Sequence, residues 1–214
     1  MLKMLILFFY YWNDPRIHEL GNGKIHALFA RTATKLINKF AYKGRNVRSE
    51  ILTKMIDDSD SVLDMCCGTG TSTPYKTEMN KRVLGIDTSE AMITEARWRR
   101  GPNGIFKIAN AEDFGDDSSF DVVTIFFALH EMPQYARKLV LENALRVAKK
   151  KVIVCDISPD KIASDKMLKG EPYLEDYQNN ILAELAKFDN VNMFEPAKGR
   201  VLCAILPSTL SCDT

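Results

Sequence analysis

The sequence predicts an α/β fold, a doubly wound and mostly parallel sheet, and three observations carry that prediction. Short apolar runs alternate with amphipathic stretches between residues 62 and 155. The first run leads into a loop with two spaced glycines, Val62-Leu63-Asp64-Met65-Cys66-Cys67-Gly68-Thr69-Gly70-Thr71. The second run, Val83-Leu84-Gly85-Ile86, closes on Asp87. Such alternation places buried parallel strands between two layers of helices, with ligands at the strands' C-terminal ends. A glycine loop after one strand and an acid after the next is how these folds seat a nucleoside.

At 214 residues the chain suits one domain with a substantial core. Residues 1–45 are expected to form a flap and helix covering the site, and residues 46–214 the domain proper. Residues 1–12 are apolar apart from Lys3 and a closing turn signal, Asn13-Asp14-Pro15. They fall short of the roughly 20 residues a spanning helix needs and lack a small-residue cleavage site. A membrane role is therefore not expected, and the run is read as a flap with an aromatic pocket wall. From Lys24, the positions Ile25, Leu28, Phe29, Ala33, Leu36, Ile37 and Phe40 recur at helical spacing. A second helix follows Gly44-Arg45-Asn46, with Val47, Ile51, Leu52, Met55 and Ile56 on one face.

Val62, Leu63 and Met65 suit a strand covered on both sides, and a helix should follow the glycine loop. After Asp87, Ser89 is placed to cap a helix through Met92, Ala96 and Trp98, which residues 101–104 end. Residues 105–109 read as the third strand, 116–119 as a turn, 121–126 as the fourth strand. A helix over 134–149 returns the chain to a fifth strand at 152–155. A last helix, 173–188, precedes a hairpin of 191–194 and 201–206.

The net charge of +1 offers no footprint for a phosphate backbone, so nucleic acid is not expected as a partner. Arg97, Arg99 and Arg100 fit the last turn of a helix, where the dipole favours cations. Five cysteines without paired spacing do not form a disulfide framework and suit a reducing, cytoplasmic setting. Cys66 and Cys67 read as small packing residues, since no C-x-x-C or nearby histidine makes them a metal pair. No metal site is expected, and the oligomeric state is left as monomer or homodimer.

The string at 62–71 resembles the first motif of class I S-adenosylmethionine-dependent methyltransferases. Gly85-Ile86-Asp87-Thr88-Ser89-Glu90-Ala91-Met92 is similar to the second-strand motif of their small-molecule, type 11 branch. Asn110-Ala111-Glu112-Asp113-Phe114 resembles that branch's adenine loop, and Phe120-Asp121-Val122-Val123 its fourth strand. The resemblance covers residues 62–156. It implies a Rossmann-like, doubly wound, mostly parallel seven-stranded sheet with a C-terminal antiparallel hairpin. It also implies S-adenosyl-L-methionine as cofactor and in-line methyl transfer to a small-molecule acceptor. One departure stands out: the family usually has glycine where this chain has Cys66. Cysteine is small, so the loop is expected to survive, with no glycine-only backbone conformation at that position.

The resemblance also distributes roles. Asp87 would accept from both ribose hydroxyls, with Thr88 beside it. Asn110 and Ala111 would meet the adenine edge, Glu112 would share their turn, and Met92 would pack on the purine or serve as ordinary core. Cys66, Cys67, Gly68 and Gly70 would lie against the methionine portion. Asp64 would either anchor the loop or meet the ligand's ammonium. Phe127 opens the rim loop at 127–132, whose string differs from that of the menaquinone and ubiquinone branch, so that acceptor class is not indicated. His130 is the best base by type, a neutral imidazole near pH 7, or equally a brace for the loop. Glu131, Asp156, Tyr173, Tyr177, Tyr11 and His18 are candidates to line the acceptor pocket.

Two other readings are open. A nicotinamide-dependent reductase would want a third glycine or alanine near position 73, where Thr73-Pro74 stands. A methyltransferase-like protein that binds without catalysis is the other, because fold alone does not establish function.

Overall fold

Seven strands form one sheet: β1 (Val62–Met65), β2 (Val83–Asp87), β3 (Ile105–Ile108), β4 (Phe120–Phe126), β5 (Ala148–Ile157), β6 (Asn192–Ala197) and β7 (Val201–Pro207). This is a computed structural model, describing residues 10–14, 17, 23–74, 82–100 and 105–208. The sheet order is β3-β2-β1-β4-β5-β7-β6. β1 to β5 run parallel, while β7 is antiparallel to both β5 and β6. The sheet is therefore the seven-stranded, mostly parallel one with a closing antiparallel hairpin. β1 is buried at every position because Val62, Leu63 and Met65 have apolar neighbours on both faces. The chain leaves β1 toward β2 on one side and reaches β4 on the other, so the strand order reverses at β1. A crevice opens at such a reversal.

Six helices flank the sheet among the described residues: α1 (Lys24–Phe40), α2 (Val47–Met55), α3 (Glu90–Arg100), α4 (Gln134–Val147), α5 (Asp165–Gly170) and α6 (Leu174–Leu185). Asn46 caps α2 by accepting from the Ser49 N–H at 3.3 Å, and Ser89 caps α3 by accepting from the Met92 N–H at 3.3 Å. α4 ends two residues sooner than its periodicity suggests. Ala148, Lys149 and Lys150 already belong to β5, which is long because β4 and β7 hold its two edges. α5 is a short helix the apolar pattern does not signal; Ser164 caps it. The helix expected after the glycine loop is not seen over residues 71–74, and residues 75–81 lie outside the described ones. The flap residues 1–9 and His18 also lie outside them.

Two helices show which of their apolar residues face inward. α3 runs through Met92, Ala96 and Trp98 as expected; Met92 and Ala96 are buried and Trp98 is exposed. α1 forms where its periodicity places it, but the stripe that defines the period points away from the protein. Ala27 is buried and His26, Ala30, Thr34 and Asn38 are partly so. The helix thus packs through its small and polar side.

Arg137 is a structural residue that the apolar pattern hides. Its guanidinium is fully buried between α4 and α6, donating to Glu184 at 2.6 and 2.8 Å, to Asp176 at 2.8 Å and to the Met132 carbonyl at 2.6 Å. Burial alone would lower its pKa; the two carboxylates outweigh that and raise it. Removing one partner of such a pair leaves the other charge buried and uncompensated. Arg137→Met should lower unfolding free energy by roughly 3 kcal/mol. Urea denaturation checks this, and a loss below about 1 kcal/mol would mean the cluster behaves like a surface pair.

Candidate active site

The loop after β1 needs a sharp reversal to bring its backbone over the sheet's C-terminal edge. Cys66, Gly68 and Gly70 all take left-handed φ, at 58°, 53° and 71°. The expectation for Cys66 is therefore corrected: this is the conformation glycine favours, and an L residue adopts it at a cost of roughly 1–2 kcal/mol. Burial, then the nearby Asp87, pushes the Cys66 thiol well above its usual range, and the same two causes act on Cys67. Both stay neutral thiols, as packing residues should.

Gly68 and Gly70 serve different ends. A Cβ on Gly68 would meet nothing within 4 Å, so that backbone lies open to the cleft. A Cβ on Gly70 would stand 2.9 Å from Cζ of Phe106, so Gly70 is required by packing against β3 and not by a ligand. Asp64 resolves toward its anchoring alternative. It is 1% exposed and accepts from the Thr73 hydroxyl at 2.6 Å and the Thr124 hydroxyl at 2.8 Å, clamping the loop to β4.

Asp87 joins the loop to β2. One carboxylate oxygen accepts from the Gly68 N–H at 2.9 Å, the other from the Ser89 N–H at 2.8 Å. Burial raises its pKa to about 6, with those N–H groups opposing the rise. Asp87 lines a cleft together with Cys66, Cys67 and Gly68. Thr88, Met92, Asn110 and Ala111 form a second wall, and Tyr11, Phe127 and Glu131 a third. Glu112 sits behind the second wall. Its backbone N–H donates to the Asn110 side-chain oxygen at 3.1 Å, and its carboxylate accepts from Tyr10 at 3.2 Å and Tyr11 at 3.1 Å. It therefore fastens the aromatic N-terminal segment to the turn at 110–112, a coupling its place in the sequence does not reveal.

The rim residues sort differently from the expectation. His130 is buried and its Nδ1 lies 2.6 Å from Asp156 Oδ1. Asp156 also accepts from the backbone N–H groups of Leu129 at 2.8 Å, His130 at 3.3 Å and Ile157 at 2.7 Å. Asp156 is thus a bracket between the rim loop and β5, and not a pocket wall. Burial would lower the His130 pKa; Asp156 outweighs it, Glu171 and Glu131 add to it, and the group is raised to about 9. That shift favours the protonated ring, and its place against Asp156 suits the loop-bracing alternative. Tyr177 is fully buried and donates to the Ile157 carbonyl at 2.8 Å, a core contact where a pocket residue was expected. Tyr173 stands edge-on to Tyr11 with ring centroids 6.5 Å apart, backing the wall instead of lining it. His130, Glu131 and Glu171 offer one ligand atom each within 4.8 Å of one another, the described residues' one grouping with metal-binding chemistry.

Arg48 escaped the sequence pattern. It follows Val47 at the start of α2, off the apolar face that marks that helix, and nothing in its spacing signals a site. It is 9% exposed and lines the cleft, with its guanidinium carbon 3.8 Å from the centre of the Phe127 ring. Its Nη1 is buried with no hydrogen-bond partner among the described residues. Burial, as the largest cause, lowers its pKa.

A family model described as a methyltransferase domain matches residues 62–151. The demethylmenaquinone methyltransferase of Tropheryma whipplei (strain Twist) is 28% identical over 184 residues, covering 81% of this chain and 73% of that protein. The enzyme of the same name from Shouchella clausii is 33% identical over 132 residues, covering 56% of this chain and 55% of that protein. Among solved structures, a SAM-dependent methyltransferase from Aquifex aeolicus superposes with a TM-score of 0.56 at 20% identity, covering 75% of this chain and 89% of that one. Magnesium protoporphyrin IX methyltransferase from Synechocystis with bound SAH gives a TM-score of 0.51 at 18% identity, covering 75% and 81%. At those identities the structures speak to the fold. The family match runs from the first residue of β1 into β5, the stretch that builds the cleft floor, and over those residues the chain matches a methyltransferase domain.

Proposed function

We propose that the enzyme methylates a small, partly apolar acceptor that enters the cleft between Tyr11, Phe127 and Glu131. The observation that carries this reading is the placement of Asp87, a partly buried carboxylate that holds the glycine loop by two backbone N–H groups and still faces the cleft. A ribose diol has two O–H donors to offer such a group. Asn110 and Ala111 are placed for the adenine edge, with Thr88 and Met92 beside it, and the open backbone at Gly68 for the methionine chain. The cofactor's carboxylate would answer the buried, unpaired Nη1 of Arg48. Bound S-adenosylmethionine supplies an electrophilic methyl group.

The protein's own task is then positioning and exclusion of water. Among the described residues of the N-terminal segment, Tyr11, Trp12, Ile17, Ala30 and Thr34 all line the cleft and act as a cover. Tyr11 is held there by Glu112, so the cover and the adenine turn share one carboxylate. His130, charged and bracketed by Asp156, braces the rim loop and takes no proton from the acceptor. The related enzymes named above act on demethylmenaquinone, which accords with a small acceptor. The different string at 127–132 keeps the proposal at that class and short of that compound. Four described cysteines are free thiols, in keeping with a cytoplasmic setting.

Adenosylhomocysteine binding tests the cofactor half. Asp87→Ala should weaken it by roughly 1.5–3 kcal/mol in calorimetry, the scale of hydrogen bonds to a charged group, with an unchanged circular dichroism spectrum. Normal affinity in that variant would put the ribose contact elsewhere.

Arg48→Met separates the carboxylate from the rest of the cofactor. Affinity for adenosylhomocysteine should fall about tenfold or more, while that for 5′-methylthioadenosine, which lacks the amino-acid end, should hold. An equal loss for both ligands would remove Arg48 from the carboxylate.

His130 makes stability depend on pH. Its pKa rises on folding from 6.5 to about 9, so its contribution is complete below pH 6.5 and is lost as pH climbs toward 9. The difference is worth roughly 3 kcal/mol. Denaturation midpoints should decline over that window in the wild type and flatten in His130→Gln. A slope that survives the substitution would assign it to another group.

A further inference from the structure

The apolar stripe of α1 is exposed and has no partner among the described residues. Ile25 is 60% exposed, Phe29 60%, Leu36 51% and Phe40 72%. At 100° per residue these four fall within one narrow arc of the helix. Side chains of this size, in one row on a 17-residue helix, form a contiguous patch of the kind that marks an interaction site.

The charge pattern says what covers it. α1 carries Lys24, Arg31, Lys35 and Lys39, all exposed, and no aspartate or glutamate. By the same helical spacing the four cations line one flank of the stripe. The chain as a whole is nearly neutral, at +1, so this is a local concentration of positive charge. A second α1 would bring four more cations and no acid. Residues 1–9, with Lys3 and no acid, likewise give the cations nothing. The occupant must be apolar in its depth and anionic at its surface. A convex helix with a wide aromatic and aliphatic arc, cations beside it and low mean hydropathy meets the description of one that lies in the plane of a bilayer interface. α3, against which α1 packs, adds another exposed aromatic, Trp98 at 75%. No described helix is long and apolar enough to cross a membrane, so the contact is with the surface.

We propose that α1 docks this protein on an anionic lipid bilayer, with Ile25, Phe29, Leu36 and Phe40 entering the headgroup–acyl boundary and Lys24, Arg31, Lys35 and Lys39 meeting lipid phosphates and carboxylates. The opposite side of the same helix supplies His26, Ala30 and Thr34 to the cleft. One helix then separates cleft from lipid, and a partly apolar acceptor can reach the cleft along it. That consequence rests on the methyl-transfer reading above; the docking does not.

Vesicle flotation of the full chain tests the proposal. The wild type should float with phosphatidylcholine vesicles containing phosphatidylserine, remain largely in solution with phosphatidylcholine alone, and be released by salt. F29E/F40E and K35E/K39E change only exposed side chains, and each should reduce the bound fraction about tenfold or more. Adenosylhomocysteine affinity, measured on the same variants, should equal that of the wild type and so report an intact cleft. Three results would overturn the proposal. The wild type stays in solution with both vesicle types; the stripe variants float like the wild type while deletion of residues 1–9 alone abolishes binding; or sedimentation without lipid shows a dimer that F29E/F40E dissociates. Failure of adenosylhomocysteine binding in the wild type, with flotation intact, would count against the methyl-transfer site and leave the docking standing.

Discussion

The Asp87 carboxylate, accepting from the backbone of Gly68 and Ser89, ties the glycine loop to the end of β2 and the start of α3. That tie sets the loop over the sheet from the β2 side, as the Asp64 clamp does from the β4 side. The tie has an electrostatic cost, visible in a carboxyl whose pKa burial lifts to about 6. An acid held in such surroundings keeps an acceptor ready where hydrogen bonds are strongest.

Three acids stand near the C-terminal ends of parallel strands, and their surroundings divide the labour. Asp64 on β1 is saturated by two threonine hydroxyls and acts as a clamp. Asp156 on β5 is occupied by three backbone N–H groups and an imidazolium and acts as a bracket. Asp87 on β2 alone of the three lines the cleft. Identical chemistry thus yields two acids held within the structure and one that also faces the cleft, and the difference lies in which hydroxyls and N–H groups the fold brings within hydrogen-bond reach. The same logic acts on His130: Asp156 against Nδ1 favours the protonated ring and raises its pKa.

The glycine loop, the strand-end acid and the adenine turn were legible because each needs particular residues at short spacing: a small residue for a left-handed φ, a carboxylate after an apolar run, an amide at a turn. Arg48, Glu112 and Arg137 were not, because each acts on a partner far along the chain. Arg48 meets Phe127, Glu112 meets Tyr10 and Tyr11, and Arg137 meets Asp176 and Glu184. No local pattern encodes those distances. Gly70 and Tyr177 mark the opposite error, residues whose type suits a site but which the packing around Phe106 and Ile157 has claimed.

Local chemistry by itself determined the strands, the longer helices and the doubly wound class, since apolar periodicity, caps and glycine turns act over a few residues and leave few ways to bury the same faces. The period of α1 was equally plain in its residues. Which way that helix faces was not, because periodicity establishes that a stripe exists and says nothing of what lies against it. Tertiary structure decided that Ala27, Ala30 and Thr34 pack inward while Ile25, Phe29, Leu36 and Phe40 look out. It also decided which acids reach the cleft, because burial and hydrogen-bond partners are properties of the folded surroundings and not of the residue.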